Sequence, residues 1–206
     1  MAKRQPKTDL RLRRKKPQKE PYASVLLVCE GEKTEVNYFN ELIKYYKLSS
    51  ANIIVDKGKG SAPISIVDTA IELRDLAVRA NESYDKIFCV FDCDDHESFK
   101  RANNKANNNN IQCIRSWPCF EFWLLLHFVY TRKMYTANTC YKALLSYYPD
   151  FQKRQYGVFV HLVKNLEQGL QHAARVQEDV NNTEEFNPST EIHELVEYLQ
   201  NIKGAV

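Results

Sequence analysis

The chain has 206 residues, of which 44% are hydrophobic and 27% charged, with a net charge of +3 and a mean hydropathy of -0.51. That balance describes a globular chain, and six Gly and seven Pro exclude a collagen-like or loop-dominated one. The longest nearly apolar run, Phe120 to Tyr130, contains Glu121 and His127 and falls short of the ~20 residues that a membrane span needs.

The charge is unevenly spread. Residues 1–20 carry nine Lys or Arg against two acids, a net of +7, whereas residues 21–206 have a net of -4. The basic character is therefore a tail with no core to join, expected to be disordered when free. It either settles on phosphates or serves as a solubilising extension. No apolar stretch follows it, so it does not read as a secretory signal. Among the six cysteines no CxxC pair occurs, which argues against a zinc knuckle and for reduced thiols in a cytoplasmic protein. Cys93 stands out because it lies between Asp92 and Asp94.

Along the chain, Ser24 to Cys29 is a short apolar run that predicts a buried strand. Thr34 is placed to cap a helix running to about Lys47. Ile53 to Val55 is a weaker strand, followed by the basic loop Lys57-Gly58-Lys59-Gly60-Ser61 and a helix from Pro63 to about Asn81. Lys86 to Phe91 is a third strand, a polar helix spans Glu97 to Asn107, and Ile111 to Arg115 is a fourth strand. Strands alternating with helices at this spacing predict a mostly parallel four-stranded sheet flanked by helices.

From Pro118 the pattern turns helical, with helices expected at 120–130, 136–147, 156–181 with breaks, and 189–202. The expected organisation is a basic tail over 1–20, an α/β core over 21–117 and a helical extension over 118–206 packed on that core.

The acids fall where chemistry is expected. In open parallel sheets the active crevice lies beyond the carboxyl ends of the strands. Glu30 follows the first strand directly, and Asp92 and Asp94 follow the third, pointing the same way if the segment is extended. Glu35 lies about one helical turn past Glu30. Clustered carboxylates repel unless a cation or protons neutralise them. Oxygen ligands without His or Cys suit Mg²⁺ or Mn²⁺, ions that bind phosphate oxygens and activate water. The alternative is a set of solvated loop acids and helix caps. The chain lacks GxxxxGK[ST] and GxGxxG, so an ATPase or a dinucleotide reader is not supported.

Other candidates surround this cluster. Glu121 opens the aromatic helix after the fourth strand, where it either joins the site or caps the helix. His127 is read as a catalytic or substrate-contacting group or as a core histidine. Lys33, Lys57 and Lys59 are placed to meet a nucleic-acid backbone or to remain a solvated basic surface. Arg115 ends the fourth strand and so faces the same crevice, His96 follows the acidic run, and Lys164 on a later helix is a candidate to reach back over the site.

Four segments together resemble the RloB family, small proteins encoded with bacterial restriction and phage-defence loci. They are Leu27 to Glu35 (LVCEGEKTE), Phe91 to Asp95 (FDCDD), Pro118 to Phe128 (PCFEFWLLLHF) and Asn187 to Val196 (NPSTEIHELV). The first two also resemble the Toprim fold, a Rossmann-like core with a Glu after the first strand and an Asp-x-Asp after a later one. Glu30, Asp92 and Asp94 match that pattern. The resemblance implies Glu35 as a further metal ligand and a basic residue near the scissile phosphate, for which Lys164 is the candidate.

The leading expectation is a Mg²⁺-dependent (or Mn²⁺-dependent) nuclease, with metal held by Glu30, Glu35, Asp92 and Asp94 and with catalysis drawing on Glu30, Asp92, Asp94, Glu121, His127 and Lys164. The resemblance favours RNA, such as transfer RNA, over DNA, and phage defence as the setting. It also allows a protein partner from a defence or restriction locus. The alternatives are a metal-dependent nucleotidyl- or phosphotransferase, a non-catalytic nucleic-acid-binding subunit, and an adaptor of a restriction complex that acts through the basic tail.

Overall fold

The computed structural model describes residues 23–31, 33–48, 53–60, 62–93 and 96–202, without the side chains of 96–98. The basic tail, Ser61, Asp94 and Asp95 lie outside the described residues. The elements run β1 (Val25–Cys29), α1 (Thr34–Tyr45), β2 (Ile53–Lys57), α2 (Pro63–Arg79), β3 (Lys86–Asp92), α3 (His96–Asn107) and β4 (Gln112–Trp117). They continue as α4 (Glu121–Leu126), α5 (Ala137–Leu145), α6 (Val158–Leu162), a 3-10 turn (Val163–Asn165), α7 (Leu166–Thr183), β5 (Ser189–Thr190) and α8 (Ile192–Asn201).

The strands form one sheet in the order β2-β1-β3-β4-β5. The first four are parallel and β5 is antiparallel to β4. β1 is buried along its whole length, as expected of a central parallel strand covered on both faces. Its side chains alternate between two cores. Val25, Leu27 and Cys29 join Phe88 and Val90 against α1 and the helices from α4 onward. Leu26 and Val28 join Ile87, Cys89 and Phe91 against α2 and α3. This is the α/β arrangement with a C-terminal helical extension that the alternating pattern predicts. All six cysteines are free thiols. Among the described residues no helix is long and apolar enough to cross a membrane.

The sheet has one strand more than the sequence pattern predicts. Ser189 and Thr190 pair with Trp117 and Ser116, and the Ser116 and Thr190 hydroxyls meet at 2.9 Å. Two residues are too short to show a period, so the strand merges into the helix that follows. The helix expected over 120–130 is also shorter, ending at Leu126. The chain beyond it is drawn towards 185–188. Arg132 donates to the carbonyls of Pro188 and Glu185, and Asn187 bonds both backbone groups of Tyr135.

Arg115 does not supply a free cation to the crevice. Its guanidinium pairs with Glu191, whose carboxylate also accepts the Arg115 backbone N–H at 2.9 Å. Its charge also lies 5.1 Å from the Phe99 ring centroid. Arg115 therefore ties β4 to the start of α8, at a point where Glu191 N–H returns a bond to the Arg115 carbonyl at 2.8 Å.

Candidate active-site cleft

The site grows out of the adjacency of β1 and β3. Cys29 registers with Val90, and the Glu30 N–H extends that ladder to the Val90 carbonyl at 2.9 Å. Glu30 then turns its side chain across, and its Oε2 accepts the backbone N–H of Asp92 at 3.1 Å. Asp92 in turn accepts, through Oδ1, the backbone N–H of Phe120 at 2.8 Å. That bond fixes the entry of α4, whose first residue is Glu121. Three segments far apart in the chain thus meet through carboxylates at the carboxyl edge of the sheet.

Glu35 comes from the first turn of α1 and folds back over Gly31. A Cβ at Gly31 would lie 1.6 Å from Glu35 Oε2, so the missing side chain is what makes room for the carboxylate. Glu35 is 8% exposed and Glu121 4% exposed. Burial, aided by the charge of Glu121, pushes the Glu35 carboxyl up to about 7. Asp92 is raised well above the ordinary carboxylate range, first by burial and then by the charges of Glu35, Glu121 and Glu30. The acids therefore act on one another, and burial together with their mutual repulsion favours the protonated forms of Glu35 and Asp92.

Two cations approach from a segment in which sequence reasoning placed none. Lys153 Nζ lies 2.9 Å from Glu121 Oε1. Lys153 and Arg154, with Lys33 and Thr34, complete the wall of a cleft of about 240 Å³ that contains all four acids. Burial disfavours the Lys153 charge, yet its bond to Glu121 and the nearby Asp92 hold its pKa above the usual lysine value.

The loop carrying this pair is clamped by the polar face of α1. Thr34 Oγ1 accepts the Arg154 N–H at 3.1 Å, and Asn37 Nδ2 donates to the carbonyls of Arg154 and Gln155 at 3.2 Å each. Glu41 accepts the N–H groups of Gly157 at 2.5 Å and Phe159 at 2.9 Å. Arg154 has a φ of +72°, a conformation that costs about 1–3 kcal/mol in a non-glycine residue and that these bonds hold in place. Thr34 therefore serves this loop and does not cap α1. The helix has Lys33 as N-cap, with no side-chain cap bond.

The structure brings Glu30, Glu35, Asp92 and Glu121 together, whereas Asp94 lies outside the described residues. His127 is not among the residues lining the cleft. It is fully buried, its ring meets Trp123 edge-on at 4.5 Å, and Nδ1 donates to the Trp123 carbonyl at 3.0 Å. Burial lowers its pKa to about 4. Lys164 lies in the 3-10 turn and is not among the residues lining the cleft, whereas Lys153 is. Lys57 and Lys59 border a second cleft that shares Glu30 with the first.

Among the described residues, no group of three or more His, Cys, Asp or Glu forms a metal-holding cluster. The donor set nevertheless fits a hard divalent cation in kind. It consists of carboxylate oxygens whose mutual repulsion a cation would relieve.

The fold and cleft define an α/β protein with an acid-lined crevice at the carboxyl ends of neighbouring parallel strands. Its family follows from most of the chain. The model of the RloB-like proteins matches residues 25–199, and the chain belongs to that family. No curated protein and no solved structure matches it.

Proposed function

We propose that this RloB-like protein is a divalent-metal-dependent nuclease with a Toprim-like centre, built on Glu30, Glu35, Asp92 and Asp94. The observation that carries the reading is the meeting of Glu30 with the backbone of Asp92, with Glu35 and Glu121 buried in the same cleft. When bound, Mg²⁺ or Mn²⁺ would supply charge to polarise the scissile phosphate and lower the pKa of the attacking water.

The chain's own residues do the rest. Glu30 and Asp92 are held in place by backbone hydrogen bonds, so the two carboxylates are preorganised. Lys153 and Arg154, which line the same cleft, offer positive charge to phosphate oxygens. Glu121 fixes the Lys153 ammonium and so positions it. RNA, such as transfer RNA, is the favoured substrate, and phage defence the proposed setting.

The test is incubation of the purified protein with labelled transfer RNA, other RNA and DNA in Mg²⁺, Mn²⁺ or EDTA, beside Asp92→Asn and Glu30→Gln. Metal-dependent cleavage is expected to be lost in both variants. Cleavage that survives both removes the assigned site. A requirement for a nucleoside triphosphate would redirect the chemistry to transfer.

The Lys153–Glu121 pair favours a second reading, a non-catalytic binding subunit. An internal ammonium already neutralises part of the acid cluster, as a metal-free cleft would require. That reading predicts nucleic-acid binding that is indifferent to EDTA and unchanged in Asp92→Asn.

A further inference from the structure

We infer that the second cleft is a subsite for the nucleotide next to the scissile phosphate, on a single strand that continues out of the acid cleft. The inference rests on the nuclease reading for its direction but not for its test. The second cleft has a volume of about 620 Å³ and meets the first at Glu30. That is ample for one nucleotide, since pockets for ligands of this size span ~300–1,000 Å³. A strand laid across Glu30 would enter one cleft as it leaves the other.

The wall is a built platform. The Gly58 N–H bonds the Cys29 carbonyl at 2.8 Å, and the Lys59 N–H bonds Thr69 Oγ1 at 2.9 Å. A Cβ on Gly58 would lie 2.2 Å from Ile66 Cδ1, so the loop is seated directly on α2. Lys57 and Lys59 are both exposed and line the cleft from this seat. The Lys59 ammonium rests on Glu72 at 2.7 Å, with side chains 70% and 52% exposed. Such a pair contributes little and exchanges readily for a phosphate. Leu73 gives the cleft an apolar surface for a sugar or base, and the Asp56 carboxylate accepts hydrogen from a hydroxyl or amino group.

The experiment measures fluorescence anisotropy of labelled single-stranded RNA and DNA dodecamers with the full chain carrying Asp92→Asn, in Mg²⁺. Adding Lys57→Ala and Lys59→Ala is expected to weaken binding by about tenfold or more. It should also flatten the slope of log affinity against log salt by about 1.4, the effect of two lost phosphate contacts on a single strand. A charge-matched control, Lys44→Ala with Lys142→Ala, should leave both readouts within about twofold.

Unchanged binding without Lys57 and Lys59, an equal loss in the control, or no binding of either strand overturns the subsite. Binding that depends on the two lysines in a protein that never cleaves would end the nuclease reading and leave the subsite standing. Asp92-dependent cleavage with lysine-independent binding would do the reverse.

Discussion

Glu30 Oε2 accepts the backbone N–H of Asp92 at 3.1 Å, so the acid that ends one strand is bonded to the residue that ends its neighbour. A wide separation of this pair would dissolve any shared site. The bond joins the two strand ends at the mouth of the acid-lined cleft.

Gly31 sets the position of Glu35. In Gly31→Ala the new methyl would overlap the Glu35 carboxylate, the far end of a flexible side chain, which swings away at low cost. Denaturant unfolding is expected to stay within about 1 kcal/mol of the parent. Metal-dependent cleavage is expected to fall as far as in Glu35→Gln. Full activity in Gly31→Ala would show that Glu35 has no part in the chemistry.

The Lys153–Glu121 pair is half open to water, since Lys153 is 57% exposed on its side chain and Glu121 only 5%. Removing the ammonium in Lys153→Met leaves Glu121 buried without its partner. The expected loss is about 1–2 kcal/mol, below the ~3–5 of a fully buried pair because solvent screens this one. Adding Glu121→Gln is expected to restore the stability but not the cleavage. A double-mutant cycle with no coupling would contradict the pairing.

Glu41 closes the loop that carries Lys153 and Arg154 by accepting two backbone N–H groups. Glu41→Ala is expected to destabilise the protein by roughly 1–3 kcal/mol. It should also make the bonds after Lys153 and Arg154 faster to cut by trypsin under native conditions. Trypsin sensitivity equal to the parent's would mean that the clamp does not hold the loop.

His127 links folding to pH. Its folded pKa of about 4 lies below the ordinary 6.5, so the unfolded chain binds the proton more tightly. Its contribution is therefore fully present above pH 6.5 and is lost as pH falls towards 4. Urea titrations of the parent and His127→Phe should diverge in favour of the variant across that window, by about 2–3 kcal/mol at the acid end. The pH profile of cleavage should keep its shape, because the ring lies in the core. A changed profile would return His127 to the chemistry.

Much of this was legible because the signals are local. The apolar runs of β1 and β3 end directly at Glu30 and Asp92, and parallel neighbours bring their ends together. That His127 does not share the face of Glu121 was also readable. Six residues separate it from Glu121, which at 100° per residue sets the two about 120° apart on a helix.

The Lys153–Arg154 loop gave no such signal. Thr34, Asn37 and Glu41 lie within about 60° of one another around α1, a polar stripe on a helix that also buries Tyr38, Phe39 and Leu42. The stripe says that something polar is bound, but its partner is a backbone segment more than a hundred residues away, which no local pattern identifies. β5 stayed hidden for a different reason, since pairing with β4 alone makes it a strand.

The acids are made early in the chain and their cations late. A ribosome-bound chain has Glu30, Glu35 and Asp92 long before Lys153 emerges, and the clamp on α1 closes only after Phe159. During most of its synthesis the protein therefore carries an incomplete crevice, which is finished only once the segment that clamps onto α1 has left the ribosome.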